Sequence, residues 1–463
     1  MKKYLAILLA LCMVFSLAAC GGGGETNESN PPSGGSNPPA SQPPQGGGEG
    51  EGGVEPASEI TLWTYPIGNW GNEEVVNGLT AAFEAETGIH VVVEYLDYTN
   101  GDDKTNTAIT SGGTPDLIME GPERLVANYG VNGHLVDLSD LLDSTDKDEI
   151  NAVNSGVLDA CTAPNGAIYE YPLVMTAHCM AINVKAFEEA GALQYVDLDS
   201  HTWTTEQFFN AVQALYDHYG DTVGAVFCNG QGGDQGTRAL VNNLYGGAFT
   251  NAEHTAYTWD DPKNIQALQA LYDQDGIDYD ASIVGGDEIA LFYQGVLKMA
   301  FCWNIAQQLN PNQAGTGAEL TMTGDQIAFM SFPSENGTSS LQGGIWGFGI
   351  FNNGDEGRIA AAKEFIKYMC DSEHTVDAVK AANYFAVRSS AGGADLSTIW
   401  ADNDIMNEYT KLMQYLGDYY QVTTGWAEAR TAWWNMLQDV GEGADVAAAV
   451  AQWAGEANAA AGG

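Results

Sequence analysis

Glu120, Glu123 and Arg124 stand close together, directly after the short apolar run Leu117-Ile118-Met119. Two carboxylates and a guanidinium at this spacing can hold hydroxyl groups through paired hydrogen bonds, and a neighbouring aromatic ring can cover the C–H face of a sugar. The carboxyl end of a strand is also where open α/β sheets place their ligands. The plainer alternative is a surface ion pair between Glu123 and Arg124 at a helix start. A second candidate group is Asn69 and Trp70, in the loop after the first expected strand. Asn69 could bond a hydroxyl and Trp70 could stack, or Asn69 or Asn72 caps the next helix and Trp70 packs inward. Trp303 follows the apolar run Met299-Ala300-Phe301, and Trp346 stands among Gly343, Gly344 and Gly347, whose missing side chains permit close approach. Each of these rings serves either a ligand or a core.

The elements that must position these residues follow from periodicity. Residues 59–63 alternate as a strand, and residues 72–87 carry Val75, Val76, Leu79, Ala82 and Phe83 at helical spacing before Gly88 ends the helix. A β-branched run at 89–96 predicts the second strand, a polar helix spans 103–111, and 116–119 forms a third strand. This alternation predicts a parallel sheet covered by helices. Further helices are expected near 206–219, 264–273 and 359–370, and the chain from Asn403 on is mainly helical.

Composition narrows the function. The 463 residues hold 61 Asp and Glu against 16 Lys and Arg, a formal net charge of −45 that repels nucleic acid and anionic lipid and disfavours an anionic ligand. An ordinary apolar share, with 11 Trp and 21 Tyr, rules out a disordered acidic chain. The scattered Cys161, Cys179, Cys228, Cys302 and Cys370 form no CxxC pair or Cys/His cluster, so buried reduced thiols are expected and no metal centre. No GxSxG, HExxH, Walker or Rossmann pattern appears, and the expectation is a binding protein with no catalytic residues and no cofactor. An extracellular glycosidase would need two carboxyls about 5 to 10 Å apart and is the competing enzyme class. A structural adhesin would favour an antiparallel sandwich over this strand and helix alternation.

The amino terminus speaks to location. Lys2 and Lys3 precede an apolar stretch over 4–15 that is too short to span a bilayer as a mature helix. Leu17-Ala18-Ala19-Cys20 then resembles the lipobox of bacterial lipoproteins, which implies a signal peptide over 1–19 and lipid on Cys20; an ordinary secretory signal is the alternative. Residues 20–58 are Gly-, Pro- and Ser-rich and read as a tether unable to bury a core.

Ile60-Thr61-Leu62-Trp63, Phe83-Glu84-Ala85-Glu86-Thr87-Gly88-Ile89-His90-Val91 and Gly112-Gly113-Thr114-Pro115-Asp116-Leu117-Ile118 resemble, in order and spacing, the opening of family 1 extracellular solute-binding proteins. Gly133 to Leu138, Tyr169 to Pro172, Gly295 to Phe301 and Lys363 to Met369 extend the likeness along nearly all of the chain beyond the tether. The resemblance implies a two-lobed α/β fold of the type II periplasmic-binding-protein class, with ligand in the cleft between lobes. One lobe would take 59–173 plus 332–380 and the other 174–331 plus 381–463, with crossings near 174–177 and 329–331.

By the same resemblance Glu123 and Arg124 contact sugar hydroxyls, and Trp426, four residues before Arg430, stacks on the sugar; Trp433 and Trp434 fall at packing positions. Asn69, Trp70, Glu120, Trp303 and Trp346 would complete the cleft. Glu120 replaces a tryptophan, and Thr176 a glutamate, of the family's maltodextrin-binding branch, so maltose is not assured. The implied function is the lipid-anchored receptor of an ABC importer, delivering a neutral oligosaccharide to a permease. It would act as a monomeric body on the outer face of the membrane of a bacterium without an outer membrane. Receptors for glycerol phosphates belong to the same family and are the alternative; they need a basic pocket.

Overall fold

The computed structural model describes residues 54–462, apart from 99, 227–233, 281, 284 and 310–318. The expected signal, Cys20, most of the tether and Cys228 lie outside the described residues. The tether's last residues join the body, for Ala57 N–H donates to Gly357 O at 2.9 Å.

Strand β1 (Glu59–Thr64) turns Ile60 and Leu62 fully inward. Helix α1 (Glu73–Thr87) starts at Asn72, whose side chain accepts from the N–H groups of Glu74 and Val75, and it ends at Gly88 with φ +78°. Asn72 is therefore the cap, which frees Asn69. Strand β2 (His90–Tyr95), helix α2 (Gly101–Ser111) and strand β3 (Leu117–Glu120) follow.

The main sheet is completed by β4 (Tyr171–Ala177), then β8 (Gly343–Ile350) and β9 (Phe385–Ala386), in the order β9-β4-β8-β3-β1-β2. Only β2, β1 and β3 run parallel; β8 runs antiparallel to both β3 and β4. The expected parallel sheet is thus mixed, because β8, much later in the chain, lies antiparallel between β3 and β4. Gly347 makes this possible, since a Cβ there would lie 2.0 Å from Tyr171 O. β9 extends this sheet to residue 386, past the boundary at 380 that the sequence implied.

A smaller sheet orders β6 (Met299–Trp303), β5 (Cys179–Asn183) and β7 (Ile327–Met330) antiparallel around β5. Only His178 separates β4 from β5, so the chain leaves one sheet for the other at that residue, and it returns between Met330 and Gly343. Helices α3 (Thr205–Tyr219), α4 (Asp234–Leu244), α5 (Glu356–Cys370) and α6 (Asp404–Met413) pack on the sheets, while α7 (Trp426–Gly441) and α8 (Val446–Ala460) pack on each other and α7 on α4. Cys161, Cys179, Cys302 and Cys370 are all buried. Among the described residues no helix is long and apolar enough to cross a membrane.

Candidate functional site

The first half of the site is built on β3. Its four residues are buried, and Glu120 lies opposite Gly347, so its carboxyl enters the protein with 1 % exposure. A single turn, Pro122–Arg124, then brings Arg124 back over it. Arg124 Nη1 donates to Glu120 Oε1 at 2.9 Å, while its Nε and Nη2 donate to the two oxygens of Asp102 in α2 at 2.6 and 3.0 Å. Glu123 Oε1 is 3.7 Å from Arg124, and Glu123 Oε2 accepts from the Tyr419 hydroxyl at 2.8 Å. Instead of a plain Glu123–Arg124 surface pair, the structure has a partly buried guanidinium shared by three carboxylates. Tyr65 and Tyr98 stack with ring centroids 5.0 Å apart and lie 5.2 and 5.6 Å from Arg124 Cζ.

Burial pushes Glu120 up to about 8 even though Arg124 pulls it down. Burial also raises Asp102, but the hydrogen bond and charge of Arg124 outweigh it and leave that carboxyl below the usual range.

The second half gathers at the start of α4. Asp234 is fully buried and accepts from Arg430 of α7 twice, at 2.5 Å to Nε and 2.7 Å to Nη2, and also from Arg238 Nη1 one turn along its own helix. Burial would raise Asp234, yet the two guanidinium groups hold it far below the usual carboxylate range. Arg238 Nε donates to the Tyr420 hydroxyl at 3.1 Å, and Arg238 Cζ lies 4.8 Å from the centre of the Trp426 ring. Trp426 opens α7 half-buried, with its edge toward Phe249. His178, at the crossing, is pushed down to about 4 by desolvation and by Arg238.

Asn69 lines a cavity of about 350 Å³ with Asn383 and Tyr384 from its own side and Ala306 and Leu309 from the other. Tyr384 stacks on half-buried Trp346 at 5.1 Å and an interplanar angle of 12°. Gly344 supplies the room, since a Cβ there would meet the Trp346 ring at 1.9 Å. A second cavity, of about 510 Å³, involves Asn242, Thr250 and Gln342, and no candidate residue lines it.

Two expected ligand tryptophans are core residues. Trp70 has no exposed surface; it meets Phe348 edge-on at 5.4 Å and donates to Ala378 O at 3.4 Å. Trp303 is equally buried and donates to the Tyr409 hydroxyl at 2.8 Å and to Gln308 Oε1 at 3.0 Å. Their rings are spent on packing, and neither offers a face to a ligand. Asp102, Tyr98, Asp234, Arg238 and Tyr384 escaped sequence reasoning, for they lie in helices and loops whose local pattern carries no binding signal. Asp234 could have been sought as the acid that the expected Arg430 requires.

Residues 78–408 match the family of bacterial extracellular solute-binding proteins. The chain belongs to that family. A search of curated protein sequences finds no match. Several solved structures share the fold of this solute-binding protein. The GacH receptor of Streptomyces glaucescens, solved unliganded and in complex with acarbose, is 17 % identical over 86 % of this chain and 97 % of its own, with a TM-score of 0.66. The cyclic α-maltosyl-1,6-maltose binding protein of Arthrobacter globiformis is 18 % identical over 88 % and 99 %, with a TM-score of 0.67. The sugar-binding protein MalE of Xanthomonas citri is 15 % identical over 87 % and 97 %, with a TM-score of 0.68. The solute-binding protein therefore has the two-lobed type II periplasmic-binding-protein fold.

Proposed function

We propose that this solute-binding protein is the receptor of an ABC importer, held at the outer face of the cell membrane by lipid on Cys20. It binds a carbohydrate, favoured as a neutral oligosaccharide by the acidic charge balance, in the cleft between its lobes and hands it to the permease. The lobes, one built on each of the two sheets, would close about the two crossings as one monomeric body.

The observation that carries this reading is the half-exposed Trp426 ring beside Arg238, one turn before Arg430. An aromatic face set among planar, pre-aligned hydrogen-bonding groups suits a sugar ring, which is apolar on its faces and hydroxylated at its rim. Trp346 and Asn69, with Glu123 and Arg124, add the same two kinds of contact from the other lobe. The family supports transport, and the acarbose and maltosyl-maltose complexes of structural relatives support a carbohydrate.

A glycerol-phosphate ligand would need cations to spare, whereas Arg124, Arg238 and Arg430 are each engaged by carboxylates. Calorimetry against plant, host and microbial oligosaccharides tests the choice: heat with glycerol 3-phosphate and with no glycan would overturn it. For the anchor, Cys20→Ser should move the protein from the membrane fraction to the medium, and unchanged membrane retention would remove the lipid from the account.

A further inference from the structure

Charge does not balance around Arg124. Asp102, Glu120 and Glu123 share its one guanidinium, and Glu170, fully buried, lies close enough to Glu120 and Glu123 to feel both. After Arg124 has made its bonds, Glu120 Oε2 and both oxygens of Glu170 are buried without a hydrogen-bond partner. Burying a carboxylate charge with no partner is so costly that the group takes up a proton instead, so these carboxyls hold protons unless a cation reaches them. Burial and the neighbouring acids accordingly push Glu170 well above the usual range. Two ring pairs stand near these acids, Tyr65 with Tyr98 and Trp346 with Tyr384, and Tyr98 lies within electrostatic reach of both Glu120 and Tyr384.

A metal ion is a poor match for this surplus, because it needs ligand atoms that converge on a point. Among the described residues the trio that gathers so closely is Asp146, Glu149 and Asp371, and there Arg388 fills the centre, 2.8 Å from Asp146 and 2.9 Å from Asp371. The carboxyls around Arg124 are more dispersed and are accompanied by aromatic faces. That arrangement fits a cation carried on an extended, partly apolar body.

We propose that the cleft selects a carbohydrate bearing a protonated amine, with Glu120, Glu123 and the half-exposed Asp102 receiving the ammonium group and Tyr98 and Trp346 covering the sugar. The proposal rests on the carbohydrate reading and replaces its neutral ligand by one that carries a positive charge. Because Glu120 holds a proton in the empty site, docking of the ammonium expels that proton to solvent and leaves a carboxylate–ammonium pair. The groups that set this exchange are Arg124 and Glu123 from the turn after β3, Asp102 from α2 and Glu170 beside β4. Tyr129 and Tyr419 also feel Glu120 but stay neutral, burial raising both hydroxyls. The protein's net charge of −45 draws a cationic solute toward it.

Calorimetry on the full chain near pH 7 compares glucosamine, N-acetylglucosamine and glucose, and the three corresponding galactose compounds. The amine should bind roughly tenfold tighter than its N-acetyl form. Its heat should differ between buffers of unlike ionisation enthalpy, as proton release requires. Glu120→Gln should abolish both the preference and the buffer dependence. If an N-acetylated or unmodified sugar binds the wild-type chain as tightly as the amine, this proposal fails while the carbohydrate reading stands. Silence from all six sugars also overturns it, and silence from the wider glycan panel removes the carbohydrate reading too.

Discussion

Arg430 clasps Asp234 through two bonds, of 2.5 and 2.7 Å, although 196 residues separate them in the chain. The clasp ties α7, and with it Trp426, to the first turn of α4. Arg238 shares the same carboxylate, so one buried acid compensates two guanidinium groups.

Replacing that acid should be costly. Asp234→Ala leaves two cations facing each other in a desolvated place and should destabilise the protein by about 3–5 kcal/mol, read from urea denaturation. The clasp should also weaken in acid. Asp234 is held below the usual carboxylate range, so its contribution is complete above that range and is lost as pH falls through the lowered value. A loss of less than about 1 kcal/mol on substitution would show that the pairing is not structural.

Trp426→Ala should remove one stacking face and cost on the order of 1 to 3 kcal/mol of ligand affinity, read as a rise in Kd by calorimetry. Its ring also touches Phe249 and Tyr420, so a modest fall in Tm should accompany the effect. An unchanged Kd would take Trp426 out of the site.

The Glu120 carboxyl makes stability depend on pH. Its folded value is raised to about 8, so the folded state holds a proton that the unfolded chain loses at the ordinary glutamate value. The stability it contributes is therefore complete in acid, below that ordinary value, and fades as pH rises toward 8. Glu120→Gln should flatten this part of the decline, seen as a smaller drop in Tm than wild type between pH 5 and 8. Parallel Tm curves for the two proteins would contradict the assignment.

Trp303 should behave as a core residue. Trp303→Phe deletes the N–H that Tyr409 and Gln308 accept and should cost about 1–3 kcal/mol of stability with little change in ligand Kd. A large loss of affinity at unchanged stability would return Trp303 to the ligand.

Much of the first lobe was legible in the chain. The run from β1 through α1 to β2 follows from alternation at Ile60 and Leu62, the Asn72 cap and the left-handed Gly88. Glu123 and Arg124 were placed correctly after a strand end, and the ordered motifs pointed to the family that residues 78–408 match. These signals are local: periodicity, caps and turns depend on residues a few positions apart.

Which tryptophan is enclosed and which stays partly exposed was decided only in three dimensions. Trp303 is enclosed by Tyr409, 106 residues away, and Trp70 donates to Ala378, 308 away, whereas Trp426 opens its helix half-exposed. The antiparallel entry of β8 and the partner Asp234 were equally hidden, because each depends on segments that meet only after the chain has crossed between its sheets, and Asp102 was hidden because it reaches Arg124 from a separate helix. The sequence by itself determined the elements of the first sheet, the acidic charge and the solute-binding family. The tertiary structure decided which side chains those elements leave buried, paired or open to the cleft, since burial and charge pairing are set by neighbours in space.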